Sequence, residues 1–515
     1  MAEHKLDIDD VRESGDRPRY RGLLTTWTQV QAYLWVRART GYALMLRNVS
    51  MHFDLARWIR AMPVVCAVVF LVVCGGSYIF SLIRPAGVVG DSRIVMDRAS
   101  GERYVNVNGR LHPVLNLSSA RLIAGSYMAP TAVTAASIAS FPKGPKVGIA
   151  GAPDEMAVTN GAGVSVAVCQ RVPVNSVTGD VTVTVINGGL QVGPRARELG
   201  GDEAIVATLG GQTFIVWNGV KAMVDPADRI VLSALGIDRE TVEAAMPLSG
   251  AVGNAIPSGV PMVVPVVPDA GAPAPWNLGA SLSVGSVVQS DLPGQGTQFF
   301  VVLREGVQEI SPVVAAMLRS QNAFGLATPP VVSPDALAEV PRVSIVQTSQ
   351  YPSAPLRVVN AKDRPVTCWM WERGRTATSA SAAVLTGTEL PIAADADRAV
   401  SPVVSSHKGV DGADAVYMAP DAANYVAATG SSGTSSTRES MWWLSPSGTR
   451  FGLSADGRIR ESLGLFGEPL SMPWSVLRLL PRGLPDNVAL SKEDAMTQHD
   501  SLPSDRNPAA LMPPA

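Results

Sequence analysis

Chemistry needs nucleophiles, bases or metal ligands at usable spacing, and this chain of 515 residues offers few. Beyond residue 83 the histidines are His112, His407 and His499, and the cysteines are Cys169 and Cys368. Five histidines and four cysteines in the whole chain are too scattered for a multinuclear metal centre. Cys169 with His112 or His407 would make a nucleophile–base pair on paper; pairing of the two cysteines accounts for Cys169 better, and His112, beside Pro113, reads as structural. Adjacent acids stand at Asp154-Glu155 and Asp202-Glu203. Asp202, Glu203 and Arg304 are the residues an unorthodox hydrolase site would use, but neighbours in sequence need not face one another, and surface solvation is their default role. Trp369, Trp371 and the pair Trp442-Trp443 could stack on sugar rings, although packing in a core is the simpler role. The sequence has no G-x-x-x-x-G-K-[S/T], H-E-x-x-H or G-x-S-x-G segment. No resident cofactor or metal is expected.

Composition narrows the class. With 46% hydrophobic residues, 17% charged residues and a net charge of −2, the chain lacks the basic surplus of a nucleic-acid binder and the polarity of a disordered one. Its 47 Gly and 39 Pro, with abundant Val and Thr, point to a mainly β fold with short helices.

One segment is different in kind. Ala61 to Ile83 carries no charged side chain over 23 residues. At helical rise that is about 34 Å, enough to cross the hydrocarbon layer. Residues 17 to 60 hold eight Arg against the single acid Asp54, so the positive-inside rule keeps the N-terminus in the cytoplasm and puts the rest on the far side of the membrane. Sixty residues are too many for a signal-peptide head. Cys66 and Cys74 lie in the span. Cys169 and Cys368 then sit in an oxidising compartment that favours a disulfide, two separate buried thiols being the competing arrangement.

The remaining organisation is read as follows. Residues 1–22 form a disordered cytoplasmic tail, 23–60 an amphipathic helix, 61–83 the span, 84–490 the outer region and 491–515 a disordered tail. In the outer region a Gly-x-x-aromatic motif recurs four times, each closed by a second glycine: Gly101-Tyr104-Gly109, Gly211-Phe214-Gly219, Gly296-Phe299-Gly306 and Gly448-Phe451-Gly457. Gly109, Gly219, Gly306 and Gly457 are read as hairpin turns. Pro113, Pro226 and Pro312 follow in three copies and redirect the chain into short apolar elements. Units this small cannot bury their own faces and must pack on a common centre. Val181, Val183 and Val185 alternate with threonines as a half-buried strand does. Residues 256–275 and 327–355 read as Pro-rich connections, and 430–436 as a flexible loop.

The run Gly101-Glu102-Arg103-Tyr104-Val105-Asn106-Val107, Gly109, Leu111 to Leu117 and Ser119 to Leu122 closely resembles the EccB family, membrane subunits of the type VII (ESX) secretion machine. Thr28-Gln29-Val30, Arg37, Arg39, Ala43-Leu44 and Met51, Gly148 to Pro153, Asn254 to Pro257, Ile310 to Val313 and Pro473 to Leu477 extend the resemblance in order over nearly the whole chain. Around Cys169 the sequence departs from the family pattern, with Ser165 to Val168 before it and Gln170 after. The resemblance implies an elongated periplasmic region of repeat domains around a central β domain with a disulfide. It implies EccC-type ATPase, EccD-type and EccE-type partners, self-association, and support for export of WXG100 and PE/PPE-type proteins. It also assigns partner docking to the cytoplasmic helix, with Gln29, Val30, Arg37, Arg39 and Arg47 as its candidate contacts. ATPase activity has been ascribed to the family, but without a P-loop a catalytic role is not expected here. An extracytoplasmic hydrolase and a cell-wall-binding protein are the alternative functions.

Overall fold

The computed structural model describes residues 26–47, 55–83, 87–159, 161–173, 181–279, 281–292, 294, 296–403, 412–486 and 488–499. The expected tail 1–22, together with Met51 and His407, lies outside these residues.

Residues up to Ala86 form one unit and those from Gly87 onward another. The first contains α1 (Trp27–Leu46) and α2 (Leu55–Ile83). In α2 the window Ala61–Tyr78 is apolar enough to cross a membrane and is wholly unburied by the chain, with Phe70, Leu71 and Val72 each 68% exposed. The continuous helix begins at Leu55, so residues 55–60 belong to it and not to a separate cytoplasmic helix.

Four structural repeats surround a seven-stranded sheet in the second unit. Repeat one sets the pattern. Strands Ile94–Asp97, Arg103–Val107 and Arg110–Pro113 form an antiparallel meander, followed by the helix Leu117–Ala124. Thr131–Val133 then returns parallel to the first strand and leads into the helix Ala135–Ala139. Repeat two runs Glu203–Leu209, Gln212–Trp217, Val220–Val224, helix Arg229–Ala234, Met246–Pro247 and helix Gly250–Ala255. Repeat three has Val287–Leu292, Gly296–Val302, Val307–Ile310 and helix Pro312–Gln321, but its returning strand shrinks to one bridge, Val331 on Gln289. Repeat four has Tyr425–Thr429, Met441–Leu444, Arg450–Leu453, helix Gly457–Ser462, Leu470–Pro473 and helix Trp474–Leu477.

Local chemistry explains why each copy folds this way. The helix after the meander is capped in every copy, by Asn116, Asp228, Ser311 and Asp456, whose side chains accept a first-turn N–H. Asn108-Gly109 and Asn218-Gly219 both have φ above zero at both positions, the conformation of a two-residue hairpin turn. Gly306 is required by proximity, since a Cβ there would lie 2.1 Å from the Pro341 carbonyl oxygen.

The fourth copy corrects the sequence reading. Its hairpin turn uses Gly448, at φ 80°, whereas Gly457 opens a helix. The loop between its first two strands spans residues 430–440, so the Gly-x-x-aromatic match slipped by one strand: Phe451 lies on the third strand, Tyr104, Phe214 and Phe299 on the second.

A signal missed in the sequence closes all four units. Pro142, Pro257, Pro341 and Pro481 each accept the N–H of the residue that opens, or nearly opens, the third strand: Leu111, Lys221, Val307 and Arg450. The carbonyls of those four residues accept the N–H of Gly144, Gly259, Val343 and Gly483. The apolar-Pro-x-(Gly/Val) recurrence is visible in the chain, two of its copies lying inside the segments 256–275 and 327–355 that read as connectors. Residues 327–355 are accordingly part of repeat three and include the helix Pro334–Ala338.

The central sheet runs Ser401–Pro402, Ala415–Met418, Thr182–Asn187, Gly163–Arg171, Val366–Gly374, Ser381–Gly387 and Ala196–Glu198. Residues Val183 to Asn187 are all buried, because both faces of the sheet are covered; the expected half-buried alternation does not hold. One face shares a core with repeats two and four. Repeat three packs on repeat two, and repeat one on repeat four. The expected disordered tail is ordered to residue 499: Lys492–Ala495 is helical, and Leu490, Ala495 and Met496 are buried in the core of repeats one and four. These apolar residues give the segment a surface to bury, which outweighs its polar composition.

Gly306→Ala should lower the unfolding temperature of the outer region clearly more than Gly211→Ala. The latter has open space at its Cβ and loses only the left-handed backbone preference, about 1 kcal/mol. Equal shifts in scanning calorimetry would count against the close approach at Pro341.

Candidate functional site

The candidate site is the central sheet and the seams that tie repeats to it. Gly163–Arg171 and Val366–Gly374 pair antiparallel with Cys169 directly opposite Cys368. A disulfide joins them, and both residues are fully buried. The bond lies on the face formed by Ala167, Ile186, Met370, Leu385 and Tyr417. Trp369 and Trp371 are also fully buried but point to the other face, where repeats two and four pack. The 199-residue separation encloses repeats two and three. Loop-closure entropy for a ring of that size corresponds to roughly 5 kcal/mol.

The seams are polar and hydrogen-bonded, apart from the buried Asn187 Oδ1. Gln170 donates to the Pro247 carbonyl at 2.9 Å and accepts from the Ser249 N–H at 2.9 Å, tying the sheet to repeat two. Asn187 donates to the Ala423 carbonyl at 2.9 Å on the way into repeat four. Asn424 donates to the Ala157 carbonyl and accepts from the Thr159 N–H.

The acids considered for hydrolysis are in these seams. Glu203 receives both Arg197 guanidinium nitrogens at 2.6 and 2.7 Å and the Gly200 N–H at 3.0 Å. The Arg197 bonds come first among the causes that hold its carboxyl down at about 2. Asp202 accepts from Arg357 at 2.9 Å, and that bond lowers its pKa. Arg304 pairs with Asp269, so it does not join Asp202 and Glu203. Asp154 pairs with Arg103 and Glu155 with Arg121. Cys169 is consumed by the disulfide, and His112 is buried with its ring on the Pro145 carbonyl.

Two buried cations occupy the same position in repeats two and four. Lys221 donates to the Ile256 carbonyl at 2.7 Å and Arg450 to the Leu480 carbonyl at 3.0 Å, each just before the closing proline. Burial pushes both below their usual range, Arg450 to about 10. The Arg450 guanidinium lies 5.0 Å from the Trp442 ring centre and 5.1 Å from that of Trp474. Trp442 is thus a structural stack, and Trp443 is buried against Phe451.

A cavity of about 250 Å³ opens at one end of the sheet beside Gly163, Gly188, Glu372 and Asp421. Arg373 at its edge spends its guanidinium on the carbonyls of Ala377, Thr378 and Ser435, so it offers a phosphate no ready fork of donors. Among the described residues no three His, Cys, Asp or Glu side chains gather to hold a metal ion.

In the other unit, the Gln29 carboxamide oxygen accepts the Thr26 N–H at 2.9 Å, so this docking candidate also caps α1. Val30 is half-buried, and Arg37, Arg39 and Arg47 are exposed. Arg39 stacks 5.2 Å from the Trp35 ring centre. At about 100° per residue, exposed Trp27, Leu34 and Met45 fall on one side of α1, exposed Val36 on the opposite side, and exposed Tyr33, Leu44 and Tyr42 on the flanks between. The helix is apolar around its circumference and lacks the single stripe expected of an amphipathic helix.

Residues 23–504 match the family model described as "Type VII secretion system ESX-1, transport TM domain B". The chain is 40% identical over 505 residues to the "ESX-5 secretion system ATPase EccB5" of Mycobacterium marinum, covering 97% of this chain and 99% of that protein. Its structure is similar to a chain of the intact ESX-5 inner membrane complex, with a TM-score of 0.74, 38% identity, and coverage of 96% and 98%. It is similar as well to the EccB3 dimer from the ESX-3 core complex, with a TM-score of 0.70, 33% identity, and coverage of 78% and 99%.

Glu203→Gln should lower stability by about 2 kcal/mol at neutral pH. Because the folded pKa is depressed, the stabilisation is complete above 4.5 and is lost as pH falls towards 2. The variant should therefore lose part of the acid limb in urea unfolding at several pH values; an unchanged acid limb would place the charge outside the fold's energetics.

Proposed function

The chain belongs to the EccB family of type VII secretion, and from that premise we propose that its work is to hold an assembly together rather than to hydrolyse a substrate. It is a structural subunit of an ESX inner-membrane complex, in which it self-associates and meets other membrane subunits. It is an inner-membrane protein.

The N-terminus and α1 face the cytoplasm and the repeats face the periplasm, supported by eight arginines in residues 17 to 60 against one acid. EccC-type, EccD-type and EccE-type subunits are the partners, and the complex supports export of WXG100 and PE/PPE-type proteins. The single observation favouring partner docking of α1 is its apolar circumference, because a helix apolar on all sides is stable when buried among other helices. Gln29, Val30, Arg37, Arg39 and Arg47 remain its proposed contacts. Relatives carry the word ATPase in their names. A scaffold role for this chain is favoured by its ion pairs, which commit Asp202, Glu203 and Arg304 to structural partners.

The test is affinity purification from detergent-solubilised membranes with mass spectrometry and ATP turnover on the same sample. A large species containing a motor ATPase and a multi-span subunit is expected, together with no turnover by this chain purified alone. A lone monomer or dimer with turnover would overturn the reading. Arg37→Glu with Arg39→Glu should reduce the yield of the large species several-fold while leaving membrane insertion intact; unchanged yield would remove α1 from the docking surface.

A further inference from the structure

We propose that repeat one carries an acid-sensitive latch, in which a proton on His112 releases the crossing segment 143–148 and with it the C-terminal segment 488–499. The geometry is a three-layer edge. Residues 143–147 run parallel to the third strand through bridges at Leu111–Lys143 and Val114–Val147. On their other side Val147 bridges Gln498, the Gly148 N–H reaches the Thr497 carbonyl, and the His499 N–H reaches the Lys146 carbonyl at 2.8 Å. His499 Nε2 donates to the Gly148 carbonyl at 2.6 Å. The crossing segment is therefore the middle layer between repeat one and the C-terminal segment.

His112 sits beneath that layer, 2% exposed, with Nδ1 donating to the Pro145 carbonyl at 3.0 Å. Its ring lies so close to Gly144 that a Cβ there would be 2.1 Å from Cε1 and 2.6 Å from Nε2. The neutral ring satisfies this place with one bond. An imidazolium adds a second N–H, at Nε2, and among the described residues the ring's one hydrogen-bond partner is the Pro145 carbonyl on Nδ1.

The charged groups on the strand, its neighbour and the crossing segment are basic. They are Arg110 on the same strand, Arg103 on the neighbouring strand, which puts Val105 opposite His112, and Lys143 and Lys146 on the crossing segment; the C-terminal segment adds Lys492, His499 and the acids Glu493 and Asp494. Nearby acids are engaged elsewhere: Asp154 with Arg103, and Asp494 with Ser491 and the Ala489 N–H. Burial first, then Arg110, hold the imidazole below its usual range against the Pro145 bond. The sign follows. The latch has its full strength above the ordinary histidine value of 6.5 and weakens as pH falls below it, because the released histidine takes the proton more readily.

The experiment is hydrogen exchange by mass spectrometry on the full chain in detergent micelles, from about pH 7.5 to about pH 5, corrected for intrinsic exchange. Protection at 143–148 and 490–499 should fall by up to about tenfold per pH unit, while Gly163–Arg171 keeps its own. His112→Asn offers an N–H in place of Nδ1 and cannot titrate, so its protection should stay flat; His499→Asn should retain the acid response. Constant protection in the unmutated chain overturns the latch, as does a response that survives His112→Asn or vanishes in His499→Asn. If His112→Asn does not fold at neutral pH, the unmutated chain and His499→Asn decide the matter.

Discussion

Keeping both faces of one seven-stranded sheet from water is the constraint on which the outer region depends. The face carrying Trp369 and Trp371 is covered by repeats two and four together. Neither repeat closes a core alone, since Met246, Val252, Val426 and Leu477 belong to the same apolar cluster as the sheet. The repeats and the sheet therefore stabilise each other, and the buried disulfide lies on the sheet's other face, among Ala167, Ile186, Met370 and Leu385.

The repeats pair by one device used twice. Helix Arg229–Ala234 of repeat two packs on helix Pro312–Gln321 of repeat three, and helix Leu117–Ala124 of repeat one packs on helix Gly457–Ser462 of repeat four. Among the described residues, the apolar cores shared with the sheet take their repeat residues from repeats two and four, and the outer repeats share cores with those two. The order of packing, one–four–sheet–two–three, differs from the order in the chain because the sheet draws its strands from both sides of repeats two and three.

Charge follows the same logic. Glu203, Asp202, Arg197 and Arg357 join an edge strand of the sheet, repeat two and the segment after repeat three. Lys221 and Arg450 satisfy carbonyls ahead of the closing prolines. Buried polar groups in a subunit of this kind fix which surfaces meet, and the aromatic rings beside Arg450 add to that fixing rather than opening a sugar site.

Much was legible in the chain because it rests on local pattern. The uncharged run Ala61 to Ile83, the arginines before it, the Asn-Gly turns and the run from Gly101 to Leu122 each carry their meaning within a few dozen residues. The fourth repeat misled because its first loop is long, which moved the glycine match from one strand to the next. The segment from Ser491 misled because a few apolar residues decide its order, and their partners lie in repeats one and four. Tertiary structure alone decided that Trp369 and Cys368 serve opposite faces, that Asp202 and Glu203 find arginines distant in sequence or across a turn, and that residues 143–148 lie between His112 and the C-terminal segment. The sequence determined the anchor, the repeat and the family, since these follow from short-range spacing. The seams arise from side chains brought together across long separations, and spacing along the chain carries no measure of that distance.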